Sequence, residues 1–444
     1  MMRVTLRAFH VVALLLLVPE AAAAQRVVTL EEAYRLAARS NPTVTMLQER
    51  VAQAEAARYR AYSSVKPTAS FQGTFTHYDQ EIVVDFSKMS PIELPEGSSK
   101  PIVIQKQDQF GFLAGVTVPI FRGAAYPRID MAKKNVEAAR LRTIRNMQDF
   151  LLRVAQAYYL AVSRKDVVQA IEAKVAVDKR HLQAAQARFE VGQAPRSEVL
   201  RAELVLTQDE QNLLAQRNAL EAAKRQIAIL IGVSEDIDVV RPAEPEDVAA
   251  SEGEMVTIAL ERRLDLKAAN VALKMAKKNV EAVYWGFLPS LDGGFMYRWT
   301  EAAGFANKRG TWNLTLTLTV PIYDGGLRYA DLREARSRLV EARAQKEALD
   351  MEMRSELVRL RSELASATAG LAAAEKALAL ARTTAQDIEA SFEVGTATQL
   401  DVLDANQRLL EAEIQLTSTL HTRDLARLAL AHAQGRFDPL RGER

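Results

Sequence analysis

The sequence predicts a mainly α-helical protein with a small antiparallel β part, internally duplicated, and built around very long helical hairpins with four strands per chain. Three observations carry that expectation. Val118-Pro119-Ile120-Phe121 and Gly123 return as Val320-Pro321-Ile322-Tyr323 and Gly325, and Phe189-Glu190-Val191-Gly192 returns as Phe392-Glu393-Val394-Gly395. Two motifs held at nearly one offset mark a duplication of whole structural halves, since the period far exceeds that of solenoid repeats. Residues 128–191 hold neither Gly nor Pro, and residues 327–394 hold only Gly370. At about 1.5 Å per residue, each is a helix of roughly 95–100 Å.

The third observation is the stretch Thr311–Gly326. Trp312, Leu314, Leu316, Leu318, Val320 and Ile322 share one face of an extended strand, and Asn313, Thr315, Thr317 and Thr319 share the other. Its echo at 109–123 places Phe110, Phe112, Ala114, Val116, Val118 and Ile120 together. Such a pattern fits a soluble sheet over a core, or a membrane barrel with lipid on one side and a watery lumen on the other. One strand does not choose between them.

Composition narrows the classes. The net charge is +2, with 58 basic and 56 acidic residues mixed along the chain, which gives no basic surface for nucleic acid. Cysteine is absent, so there is no disulfide, thiol nucleophile or thiolate metal site, and no acceptor for an N-terminal lipid anchor. On that ground the chain is expected not to be a lipoprotein.

In order, residues 1–24 read as a signal peptide: Arg3 and Arg7, the apolar run Val11–Val18, then Ala22-Ala23-Ala24, with cleavage expected before Gln25. No later stretch looks like a transmembrane helix. The first repeat is expected over 25–231. It has a short helix after Thr29, a second after Asn41-Pro42, a β-hairpin at about 67–120, and a helical hairpin at about 126–231 turning at Gly192. Residues 82–106, with Pro91, Pro95, Gly97 and Pro101, read as a long loop inside the β-hairpin. Residues 232–252 are an acidic, proline-punctuated linker. The second repeat spans 253–436, with a β-hairpin at about 289–322 and a helical hairpin at about 327–434 turning at Gly395; 437–444 is a short tail. Leu357, Leu364, Leu371, Leu378, Ala385 and Phe392 recur every seven residues, a coiled-coil seam.

Four strands cannot close a barrel, and an open sheet in lipid leaves both edges unsatisfied. Membrane strands therefore require a cyclic homo-oligomer. The strand-ending motifs at 118–123 and 320–325, and the turn motifs Phe189…Gly192 and Phe392…Gly395-Thr396-Ala397-Thr398…Asp401-Val402-Leu403-Asp404-Ala405, resemble the TolC-type outer-membrane channel family over the whole mature chain. The resemblance implies a homotrimer with one shared twelve-stranded barrel and a helical α-barrel tunnel across the periplasm. It also implies a periplasmic adaptor and an inner-membrane transporter as partners, and the outer membrane of a Gram-negative-type bacterium as the location. The expected role is a passive exit duct for efflux or type I secretion. The alternative is a soluble periplasmic coiled-coil adaptor or spacer.

On that reading, Trp312, Leu314, Leu316, Leu318, Phe110 and Phe112 face lipid, and Arg298, Asn313, Thr315 and Thr317 face the lumen. The resemblance makes Asp401 and Asp404 an acidic constriction at the tunnel tip, with Glu198 at the matching place in the first repeat. The competing reading is helix N-terminal capping. Phe189, Gly192, Phe392, Gly395 and Thr396 form the hairpin tips. The two phenylalanines serve either as seam core or as adaptor contacts, and the glycines supply positive-φ turns. The family's tip often has an arginine where this chain has Ala397. His421 and His432 would share a helix face without a nearby acidic partner, and Met351 and Met353 read as core. No motif for catalysis or a cofactor is present.

Overall fold

The computed structural model describes residues 26–84, 102–245, 251–302 and 308–440. The signal-peptide reading and the prolines of the 91–101 segment lie outside those residues.

Two short helices open the first repeat, α1 (Leu30–Ser40) and α2 (Pro42–Ser63). Thr29 caps α1 by accepting from the Glu32 amide at 3.2 Å. Asn41 ends α1 and caps α2, its Oδ1 accepting from the Thr43 amide at 2.8 Å while Pro42 takes the first helical position. The first giant helix, α3 (Ala125–Glu190), turns back into α4 (Arg196–Ile231). The second repeat answers with α5 (Glu252–Arg262), α6 (Leu264–Trp285), α7 (Leu327–Glu393) and α8 (Gln399–Ala433). Each helical hairpin is thus about 100 Å of helix against about 53 Å.

The four expected strands form one antiparallel sheet in the order β2 (Thr68–His77), β5 (Asp108–Phe121), β7 (Ser290–Thr300) and β8 (Gly310–Thr319). Its two outer strands, β2 and β8, have no partner on their outer edges among the described residues. Four further short strands depart from the expectation. β3 (Ile82–Val84) and β4 (Ile102–Gln105) pair inside the segment read as a loop. β1 (Arg26–Val28) and β6 (Ile237–Val239) pair in parallel, so the linker carries structure. Three- and four-residue strands have too little periodicity to register in a sequence, and β1–β6 joins residues about 210 positions apart. The last strand also stops earlier than the apolar alternation implied. Pro321, lacking an amide hydrogen, comes two residues after Thr319, and Val320 and Ile322 fall beyond the strand.

The core lies at the waist. Phe150, Leu151, Val154, Tyr158 and Val162 of α3 pack with α1, with Ile227 and Ile231 of α4, and with Val28, Ile237 and Val239. Tyr158 is fully buried, and its hydroxyl lies 2.8 Å from the carbonyls of both Val28 and Val240 and accepts from the Val240 amide at 3.2 Å. One hydroxyl thereby ties α3 to the two small strands. Gly232 ends α4 at φ 71°, and a Cβ there would stand 2.9 Å from Ser40 Cβ, so only glycine lets the chain leave beside α1. In α7 the buried positions Met353, Leu357, Leu360, Leu364, Ala367, Leu371 and Ala374 step by four and three, the heptad seam packed mainly on α8.

By length and composition α7 is apolar enough to cross a membrane, counter to the expectation that no such helix exists. Its apolar character comes largely from the alanines of 365–381, which also suit close helix packing.

Candidate functional site

Two regions hold the residues singled out from the sequence: the helical tips and the strand sheet. At the tips, both turns share one backbone solution. Gly192 has φ 74° and Gly395 φ 82°. The amide after each glycine reaches back to a helical carbonyl, Gln193 to Arg188 and Thr396 to Ser391, both at 2.8 Å. This is a Schellman-type end that requires a left-handed residue. The side chains then differ. Thr398 and Asp401 form a reciprocal capping box on α8: Asp401 accepts from the Thr398 amide at 2.8 Å and its own amide donates to Thr398 Oγ1 at 3.3 Å. Those bonds from Thr398 hold the Asp401 carboxyl below its usual range. Asp404 accepts from Arg408 Nε at 2.9 Å, one turn on. In the first repeat Pro195 caps α4 without a side-chain bond, and Glu198 sits in the first turn. The capping reading of Asp401 is therefore realised within the chain, while both acids stay exposed at the tip.

Phe392 is half-buried, with the Arg188 guanidinium 4.5 Å from its ring centre. Phe189 is more exposed. Around them α3, α7 and α8 enclose a groove that includes His181, Arg382, Glu389 and Asn406. Burial pulls the His181 pKa down, and Glu389, 3.7 Å away, opposes that pull.

Deeper in the first hairpin lies a cluster that the sequence reading missed. Lys174, Asp178 and Asp209 are all buried; the ammonium donates to Asp178 at 2.9 Å and also to Asp209 across the α3–α4 seam. Burial pushes the Asp178 carboxyl up to about 6; Lys174 opposes the shift and Asp209 adds to it. The only sequence signal was a Lys-Asp pair four apart on an otherwise apolar seam.

Two other expectations are corrected. His432 does have an acidic partner, Asp149 of α3 at 2.7 Å, supplied from the other repeat and so invisible locally. Met353 is fully buried, but Met351, two residues away and so on a different helix face, is exposed.

The sheet's register sorts its faces. Directly opposed pairs put Phe71, Phe75, Phe110, Phe112, Phe295, Tyr297, Trp299, Trp312, Leu314, Leu316 and Leu318 on one side. Ring contacts run across it, Phe75 to Phe110 at 4.9 Å and Phe112 to Trp299 at 5.4 Å. Trp312, Leu314, Leu316 and Leu318 are each at least 63% exposed, so among the described residues nothing covers this part of the face. The other side carries Gln72, Thr74, Thr117, Asp292, Arg298, Asn313, Thr315 and Thr317. At the helical end, Phe121, Tyr126 and Trp285 form one aromatic group, and Phe287 and Tyr329 form another. An apolar band between two aromatic levels matches the demands of a bilayer.

Comparison with known proteins agrees. The family model described as outer membrane efflux protein matches residues 33–233 and 255–436. The outer membrane protein TolC of Vibrio cholerae serotype O1 is 27% identical over 329 residues, 71% of this chain and 74% of that protein. The alkaline protease secretion protein AprF of Pseudomonas aeruginosa is 24% identical over 315 residues, 67% of this chain and 64% of that protein. The matched part spans less than two thirds of AprF and of some other curated relatives. Among solved structures, the outer membrane protein VceC of Vibrio cholerae superposes with a TM-score of 0.72 at 19% identity, covering 91% of this chain and 96% of that one.

Proposed function

The chain belongs to the outer membrane efflux protein family, and from that premise we propose that it is the outer-membrane exit duct of a tripartite efflux pump or a type I secretion system. The family is one of channels, not of enzymes. The observation that carries the reading is the four-stranded sheet. It pairs a largely exposed apolar face with a hydroxyl-lined one, and among the described residues both its edges are open. Three copies supply twelve strands, which close the edges, give lipid the apolar face and leave the hydroxyls to a watery lumen. The helical hairpins then continue the lumen as a tunnel toward a periplasmic adaptor and an inner-membrane transporter. A soluble spacer would leave this apolar face in water, so the duct is the better account.

Conduction is passive, and the tip is its control point. Threefold symmetry would collect three copies each of Asp401 and Asp404 around the axis, with Glu198 at the matching place in the first hairpin. Like charges at close range need cations to hold the closed state. Two experiments test the reading. Leu316→Asp should block stable outer-membrane assembly and Thr317→Asp should not; equal effects would refute the face assignment. Replacing Asp401 and Asp404 together by Asn should abolish cation preference in reconstituted channels while leaving the trimer intact. Unchanged selectivity would leave Asp401 a helix cap and no more.

A further inference from the structure

The outer end of the polar strand face carries an excess of positive charge that the duct reading does not use. Asp292, near the helical end of that face, is matched by Arg122 at 2.9 Å. Five rungs of uncharged residues, 293–297 on β7, separate it from Arg298 at the far end. There, Arg298 stands exposed, opposite Leu113 on one side and Thr311 on the other. Arg309 continues the same face: it lies two residues before Thr311, and its carbonyl accepts from the Thr300 amide at 2.9 Å. The two arginines are thus diagonal neighbours across β7 and β8, which puts their side chains within reach of one another.

Neither guanidinium has a carboxylate within ion-pair distance among the described residues. Glu301, in this corner, is engaged by Lys106 at 3.0 Å and by the Phe110 amide at 3.3 Å, and it also feels the charge of Arg309. Asp79 and Glu81 lie on the loop beyond β2, outside the strand span. Placing two arginines side by side costs stability, and among the described residues Arg298 has no carboxylate within ion-pair distance to offset it.

We propose that Arg298 and Arg309 form, in the threefold assembly, a cationic ring at the outer end of the lumen that binds the anionic groups of departing solutes. The ring makes the duct selective for cargo bearing carboxylate, sulfate or phosphate. This rests on the trimeric barrel proposed above. Twelve strands about 4.8 Å apart and tilted about 40° close a wall of roughly 12 Å radius. The side chains project inward from that wall, and the Debye length at physiological salt is about 8 Å, so the six guanidinium fields overlap across the opening. Rings of arginine or lysine are the usual means by which a pore favours anions. The opposite end of the tunnel is acidic, so the two ends sort charge in opposite senses.

The test is single-channel recording of the reconstituted trimer at low salt, with inorganic triphosphate added to the barrel side. Wild type should show reversible block, weakening steeply as salt rises. Arg298→Gln should raise the half-blocking concentration about tenfold, the double variant with Arg309→Gln further, and Arg298→Lys little. Thr311→Glu, which leaves both arginines in place, should weaken the block by offsetting their charge. Equal block in wild type, Arg298→Gln and Thr311→Glu would overturn the proposal while leaving the duct intact. A wild-type protein with no conductance at all would overturn the duct reading, and this one with it.

Discussion

The two long helices α3 and α7 have almost the same length, 66 and 67 residues, and the same glycine-ended turn, yet they live in different surroundings. Helix α3 buries 21 of its residues and α7 only nine. Within one chain α3 is covered by α1, α2, α4, α6 and α8, whereas α7 meets chiefly α8 and α6. The buried Lys174, Asp178 and Asp209 of the first hairpin correspond, at the offset set by Phe189 and Phe392, to Ala377, Ala381 and Ala412 in the second. A duplicated backbone has therefore been fitted to two roles. One hairpin completes the chain's own core, and the other leaves a small-residue surface exposed in the single chain.

The sharpest way to break this contrast is to remove the buried cation. Lys174→Met leaves two carboxylates in the α3–α4 seam without compensation and should cost about 3–5 kcal/mol, seen as a large fall in the unfolding midpoint. Ala377→Met, at the matched position of α7, should change stability by less than about 1 kcal/mol, since its site is exposed in the chain. Similar losses would mean the two hairpins are packed alike.

A somewhat smaller effect is expected on the exposed side of α7. Leu380 is 61% exposed, and Leu380→Asp should leave helical content unchanged while weakening each subunit contact by about 2 kcal/mol, read as loss of trimer in detergent. Unaltered assembly would show that this face is not an interface.

The third prediction concerns pH. Because the folded-state pKa of Asp178 is raised to about 6, above the ordinary aspartate value, the folded hairpin holds this proton more tightly than the unfolded chain. Its stabilising contribution is full below about pH 4 and is lost as pH rises to about 6. Asp178→Asn should flatten that part of the stability profile. A steeper slope in the variant would reverse the assignment.

The smallest differences belong to the tips. Gly192→Ala and Gly395→Ala should each cost about 1 kcal/mol through the left-handed backbone, and nearly equally. Thr398→Ala should cost about 1 kcal/mol more by dissolving the capping box, a loss with no counterpart at Pro195. Thermal scans of the three variants would resolve the asymmetry.

Much of this was legible in the residues. Gly192 and Gly395 announce both turns, Asn41-Pro42 separates the first helices, and strict alternation from Trp312 to Leu318 reveals a two-faced strand. These signals are local, with periods of two or about 3.6 residues. What escaped depends on partners far apart in the chain. Tyr158 shows nothing of its bonds to Val28 and Val240, and Asp149 nothing of His432. Arg188 gives no sign of lying over Phe392, and β1 and β6 are too short to stand without each other. The acids at 401 and 404 were visible as a constriction or a helix cap, and the choice of capping for Asp401, with Thr398 as its partner, and the pairing of Asp404 with Arg408 emerged only in three dimensions.

The central claim is that the open sheet and the bare side of α7 are closed by two further copies of the chain. Native mass spectrometry of protein extracted in mild detergent from isolated outer membranes measures this directly. The account predicts a particle of three chains that forms ion-conducting pores when reconstituted. A soluble periplasmic monomer, or a membrane particle of any other copy number, would contradict it.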